Sequence, residues 1–160
     1  MTLRRPVIDP FWERLALAEL SAAQWEALCD RCGRCCLEKL TNRRNGKVYY
    51  TSIACTLLDT ASCQCLDYRH RRRTVPQCVQ LTPDNLRSCR WLPRTCAYRL
   101  LWEGKPLPAW HPLITGTPDS VHDAGISIRG RRLHAMPPHA DEIAAYIVDW
   151  GIWSKRARAD

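Results

Sequence analysis

Four thiols fall within eight residues in Cys29-Asp30-Arg31-Cys32-Gly33-Arg34-Cys35-Cys36, and no other feature limits the fold of this chain so strongly. Eight residues cannot build a packed core, so sulfurs at this density make physical sense if they converge on an ion at about 2.3 Å. Adjacent Cys35 and Cys36 cannot bridge each other without strain. Their side chains are expected to point apart and to serve different metals or different faces of one cluster. Gly33 is placed to supply the positive φ that a tight ligand loop needs. Cys55, Cys63, Cys65 and Cys78 add four thiols, and eight is the number that two tetrahedral four-cysteine sites take. The run opens with the spacing of a bacterial ferredoxin, but its fourth cysteine comes at once and lacks the trailing proline, so a standard ferredoxin is not expected. The spacing points to zinc, iron or an iron–sulfur cluster without choosing among them.

The compartment bears on this reading. Met1-Thr2-Leu3-Arg4-Arg5-Pro6 is basic, but Asp9, Glu13, Arg14 and Glu19 break up the apolar stretch that an export signal would need next, so none is expected. The longest uncharged stretch, 106–118, is too short and proline-rich for a membrane-spanning helix. Ten cysteines in a reducing cytoplasm are retained mainly as metal ligands or for redox chemistry. A secreted disulfide scaffold and incidental buried thiols are the competing readings. The formal charge of +8 suggests acidic partners, yet it counts every thiol as neutral. Two zinc ions on eight thiolates leave about +4, so the basic excess is weaker support for nucleic acid than it first looks.

The remaining chain predicts one small, loop-rich α+β domain over residues 1–160, organised around cysteine metal sites. Apolar spacing predicts a helix over 11–20, and Ser21-Ala22-Ala23-Gln24 has the form of a capping box opening a second helix that delivers Cys29. The β-formers of 47–50 and 53–58, with Asn45-Gly46 as turn signal, predict a small antiparallel sheet. Thr82-Pro83-Asp84 predicts a short helix to Cys89, and 95–103 another, stopped by Gly104 and Pro106. Residues 121–136 predict a second strand pair with a basic turn, 141–150 a closing amphipathic helix, and 155–160 a frayed basic tail.

The chain resembles the cysteine-cluster family defined by CxxCxxCC and described as zinc- or iron-chelating, most closely its small bacterial branch related to YcgN. Beyond Cys29 to Cys36 the resemblance rests on Cys63-Gln64-Cys65, Tyr68, Pro76 and Cys78, the run Trp91 to Leu100, and Leu107-Pro108-Ala109-Trp110-His111-Pro112-Leu113. It implies a cytoplasmic metal-binding protein and no particular reaction. Cys96 falls in the family-like segment and joins the candidate ligands. Cys89 does not, and is expected to be an ordinary buried thiol.

His111, held between prolines, is the histidine chosen as a further ligand or a proton carrier, against the commoner case of a loop histidine bonded to a carbonyl. Trp91, Trp102 and Trp110 are expected to build core. Arg69-His70-Arg71-Arg72-Arg73 is read as a solvated face or one that offsets thiolate charge. GxGxxG, P-loop, HExxH and GxSxG motifs are absent. The leading expectation is therefore a binding module whose partner is a metal ion, with no membrane and no nucleic-acid partner. The alternatives are an iron-dependent enzyme with an open site and a zinc-stabilised nucleic-acid or protein adaptor.

Overall fold

The computed structural model describes residues 9–150. Short helices and two small antiparallel sheets make an α+β fold with long connecting loops. The helices are α1 (Phe11–Arg14), α2 (Ala22–Ala27), α3 (Arg71–Thr74), α4 (Ala97–Trp102), α5 (Pro112–Thr115) and α6 (Ser120–Asp123). The strands are β1 (Leu37–Thr41), β2 (Val48–Ala54), β3 (Leu58–Asp59) and β4 (Gln64–Cys65). No helix among the described residues is long and apolar enough to cross a membrane.

Local chemistry explains the first segment. The predicted helix over 11–20 is instead α1 and then a 3₁₀ turn at Leu17–Glu19. The chain extends at Leu15 and Ala16, where the Glu19 carboxylate accepts from the Ala16 amide at 2.8 Å. This side-chain bond offers the backbone an alternative to a continuous helix. The capping box forms as expected. The Gln24 amide donates to Ser21 Oγ at 3.2 Å, and the Ser21 amide donates to Gln24 Oε1 at 2.9 Å, so α2 starts at Ala22 and ends just short of Cys29.

The sheet forms around Asn45-Gly46, but the partner of β2 is β1, which comes directly after Cys36; 53–58 does not supply it. Asn42 and Asn45 each accept from the amide two residues on, at 2.9 Å, and Gly46 takes φ +68°. These are the Asx turns that such side chains favour. Leu37 pairs with Ala54, which sets Cys36 and Cys55 side by side at the open end of the hairpin, the Cys55 amide donating to the Cys36 carbonyl at 2.9 Å. Between β3 and β4 the chain reverses within four residues, and Cys63 adopts φ +58°.

Three other expectations are corrected. The segment 82–89 forms turns and a 3₁₀ turn at Leu86–Ser88, because Asn85 Oδ1 ties back to the Thr82 amide at 2.9 Å. Residues 121–136 make no strand pair: α6 occupies 120–123, turns come after it, and only His134 bridges to Ile53. Residues 140–146 are 3₁₀, after which Ile147 bridges to Thr51. Both late segments dock on β2, which replaces the partners a separate sheet or helix would have supplied. The expected basic tail lies outside the described residues.

The core has two parts. One gathers Phe11, Trp12, Leu28, Leu86, Cys89, Leu92, Ala97, Tyr98 and Leu107; the other gathers Leu37, Val48, Tyr50, Leu58, Cys63 and Ile128. Trp91 packs against both, and the Tyr50 hydroxyl donates to its carbonyl. Trp110 is half-buried, whereas Trp102 is 45% exposed at the end of α4 and does not join the core.

Candidate metal centre

The loop from Cys29 to Cys36 is shaped by backbone chemistry. The Asp30 carboxylate accepts from the Cys32 amide at 3.0 Å through Oδ1, an Asx turn closed inside the first CxxC. Arg31 and Gly33 both lie in the left-handed region, at φ +60° and +73°. A Cβ on Gly33 would sit 2.5 Å from Ile128 Cγ1, so both φ and space require glycine there. The Ile128 amide donates to the Cys32 carbonyl at 2.9 Å, and buried Arg34 is held by the Ile126 and Trp150 carbonyls. At the start of the loop His111 Nε2 donates to the Leu28 carbonyl at 3.1 Å, while Nδ1 accepts from the Leu113 amide.

Nine cysteines line one cleft of about 1210 Å³: Cys29, Cys32, Cys35, Cys36, Cys55, Cys63, Cys65, Cys78 and Cys96. Cys89 lies elsewhere, in the apolar core. All ten are free thiols. Each reaches the cleft by a different local device. Cys29 comes just after α2, and Cys36 and Cys55 close the first hairpin. Cys63 and Cys65 sit in the second hairpin, Cys78 lies beyond α3, and Cys96 caps α4. The sulfurs of Cys35 and Cys36 do not diverge as expected; they lie 3.9 Å apart, within hydrogen-bonding reach of each other.

The electrostatics of the cleft are those of acids that obstruct one another. Cys29 is exposed as a residue, yet its thiol carries a large desolvation cost. Desolvation, then the charges of Cys35 and Asp30, push its pKa up to about 12. Cys32 is raised by burial and by Asp30, Cys35 and Cys29; Cys96 by burial and by Cys35, Asp30 and Cys29. Cys36 is raised by its hydrogen bond to Cys35, by burial, and by the charges of Cys35 and Cys55. Cys35 alone is lowered, to about 7, by the hydrogen bond from Cys36 and then by Lys39. Thus Cys29, Cys32, Cys35 and Cys96 feel Asp30 and one another, and Cys36 is linked to this group through Cys35 and, more weakly, to Cys55.

Lys39 and Asp30 were not visible as site residues in the spacing. The Lys39 ammonium donates to the Cys35 and Leu37 carbonyls at 2.7 and 2.6 Å and lies 4.9 Å from the Trp91 ring centroid. Its pKa is lowered by burial against the opposing pull of thiolate charge. A lysine four residues beyond Cys35 was the available signal. For Asp30 it was an Asx residue inside a CxxC loop. Arg71, from the basic run, stacks 4.0 Å from the Tyr68 ring centroid at the cleft rim, and the Tyr68 hydroxyl donates to Glu26.

Among the described residues, no three Cys, His, Asp or Glu side chains converge closely enough to hold an ion as they stand. The donor chemistry nevertheless suits a soft or borderline metal, because the cleft offers nine sulfurs and a buried carboxylate oxygen without a partner. His111 is not free to join them while both its ring nitrogens serve the backbone.

Residues 28–97 match a family model described as "Putative zinc- or iron-chelating domain". A UPF0260 protein of Gluconacetobacter diazotrophicus is 53% identical over 141 residues, spanning 88% of this chain and 87% of that protein. One from Azotobacter vinelandii is 51% identical, spanning 88% and 95%, and one from Rhizorhabdus wittichii is 58% identical, spanning 76% and 83%. No solved structure matches the chain.

Proposed function

The chain belongs to the UPF0260 family of bacterial proteins, and on that premise we propose that it is a cytoplasmic metal-binding protein, a single domain holding zinc, iron or an iron–sulfur cluster through the cysteines of its cleft. The observation that carries this reading is the gathering of the thiols: nine of the ten line one cleft, and Cys89 lies outside it. Buried thiols that oppose one another's ionisation are costly as anions and exposed to oxidation. A cation at their centre removes both problems, since a metal holds coordinated sulfur as thiolate.

Cys29, Cys32, Cys35 and Cys96 are the proposed ligands of one centre, and Cys36, Cys55, Cys63, Cys65 and Cys78 of its neighbour. Loading rotates the thiols toward a common point and releases their protons, so binding is coupled to closure of the cleft. His111 anchors the ligand loop in this reading and does not bind the ion. The test is anaerobic isolation from iron-replete cells, then elemental analysis and X-ray absorption. Bound metal near or above one equivalent in a mainly sulfur shell is the expected result. A shell of oxygen alone, or fully folded protein that takes up no metal, overturns it.

A second reading, an iron-dependent enzyme with an open coordination position, is favoured by the size of the cleft, which exceeds what ions alone would fill.

A further inference from the structure

Two buried side-chain atoms have no hydrogen-bond partner among the described residues, Asp30 Oδ2 and Thr95 Oγ1. Only Asp30 lines the thiol cleft. Its residue is 95% buried, with 5% of its surface accessible, and Oδ1 is already satisfied by the Cys32 amide. A buried carboxylate oxygen left without a partner is expensive, because an uncompensated charge loses its hydration.

Among the described residues, the cationic side chains of this region make no hydrogen bond to Asp30 Oδ2. The Arg34 guanidinium donates to the Ile126 and Trp150 carbonyls, Lys39 to the Cys35 and Leu37 carbonyls, and His111 Nε2 to the Leu28 carbonyl. The carboxylate is also held rigidly, since its Asx turn lies between two of the cysteines and next to the left-handed Arg31. An acceptor tied down at its other oxygen, in the lining of the thiol cleft and lacking a donor, is what a cation would complete.

We propose that Asp30 is itself a metal ligand, its Oδ2 completing a tetrahedral site with three of the neighbouring thiolates of Cys29, Cys32, Cys35 and Cys96. The inference rests on the metal-binding reading above and adds to it an oxygen that the cysteine pattern does not contain. A carboxylate oxygen is a harder donor than thiolate, so this mixed set favours a single Zn²⁺ or Fe²⁺ ion over an all-sulfur cluster at this centre.

The experiment titrates cobalt(II) alone, anaerobically, into metal-free wild-type protein and Asp30→Asn. The variant keeps an oxygen acceptor for the Cys32 amide and removes the anionic donor. Sulfur-to-cobalt charge-transfer bands should persist in both proteins. The ligand-field bands should move in Asp30→Asn, and its affinity should fall by at least about tenfold. Unchanged ligand-field bands with affinity within about twofold of wild type overturn the assignment and leave the metal reading intact. Absence of charge-transfer bands in the wild type overturns both. If circular dichroism shows that Asp30→Asn does not fold, X-ray absorption of the zinc-loaded wild type decides. An oxygen scatterer at about 2.0–2.2 Å beside sulfur at about 2.3 Å supports the ligand, and an all-sulfur shell removes it.

Discussion

Cys89 and Cys32 are both buried, at 4% and 6% exposure, yet they belong to regions built on different principles. Cys89 sits among Phe11, Leu86, Leu92 and Tyr98, and burial alone raises its pKa. Cys32 sits where Asp30, Cys35 and Cys29 add their charges to the cost of burial, on a loop with two left-handed residues. Among the described residues, no other thiol and no neighbouring charge acts on Cys89. The region of Cys32 gathers polar groups whose repulsion the protein's own cations only partly offset. Burial therefore does not distinguish the thiol of Cys89 from that of Cys32; the neighbours of each do.

The sharpest way to break this comparison is to substitute both cysteines. Cys32→Ser should lower metal content and cost on the order of 4 kcal/mol in the metal-loaded protein, because an incomplete site forfeits binding energy that is also folding energy. Elemental analysis and denaturant melts check it, and an unchanged metal stoichiometry would place Cys32 with Cys89. Next in size is Gly33→Ala, expected to cost about 3 kcal/mol from the left-handed φ and the overlap with Ile128. A loss well below about 1 kcal/mol would mean that the loop can relax without its neighbour.

The third prediction concerns His111, which belongs to the apolar side yet anchors the loop of the other. Burial depresses its pKa, with the Leu28 hydrogen bond and Asp30 opposing. The unfolded chain therefore binds the proton more readily. The His111 contribution is full above the unfolded value near 6.5 and is lost as pH falls through the window below it. Asp30, its pKa raised by burial, contributes the opposite slope. The expected outcome is a Tm that falls more steeply between about pH 7 and pH 5 in wild type than in His111→Gln. Equal slopes would remove His111 as the cause. The smallest effect is Cys89→Ala, with metal content unchanged and a packing loss of about 1 kcal/mol. Metal loss there equal to that of Cys32→Ser would erase the distinction between the two regions.

Much of the fold was legible where a local interaction decides the outcome. The Ser21–Gln24 box, the turn at Asn45-Gly46, the positive φ of Gly33 and the helix stopped by Gly104 all depend on neighbours in the chain. The failures share the opposite property. Leu37–Thr41 reads as Leu-Glu-Lys-Leu-Thr, with no run of β-formers, and is a strand because it pairs with β2. Residues 121–136 alternate only weakly and 141–150 reads as an amphipathic helix, and contacts with β2 override both patterns. At the candidate site, spacing singled out the thiols that the cleft gathers, while Asp30 and Lys39 stand out through their three-dimensional surroundings: an unpartnered oxygen and an ammonium held over Trp91.

The closure of the cysteine loop by Ile126, Ile128 and Trp150 also sets an order of events during synthesis. The Arg34 bonds span 92 and 116 positions along the chain. At about 5–20 residues per second, the loop leaves the ribosome roughly 5–20 s before the segments that cover it exist. For that interval the first four thiols are displayed on a nascent chain without the cover of Ile126, Ile128 and Trp150, more open to oxidants than in the folded protein.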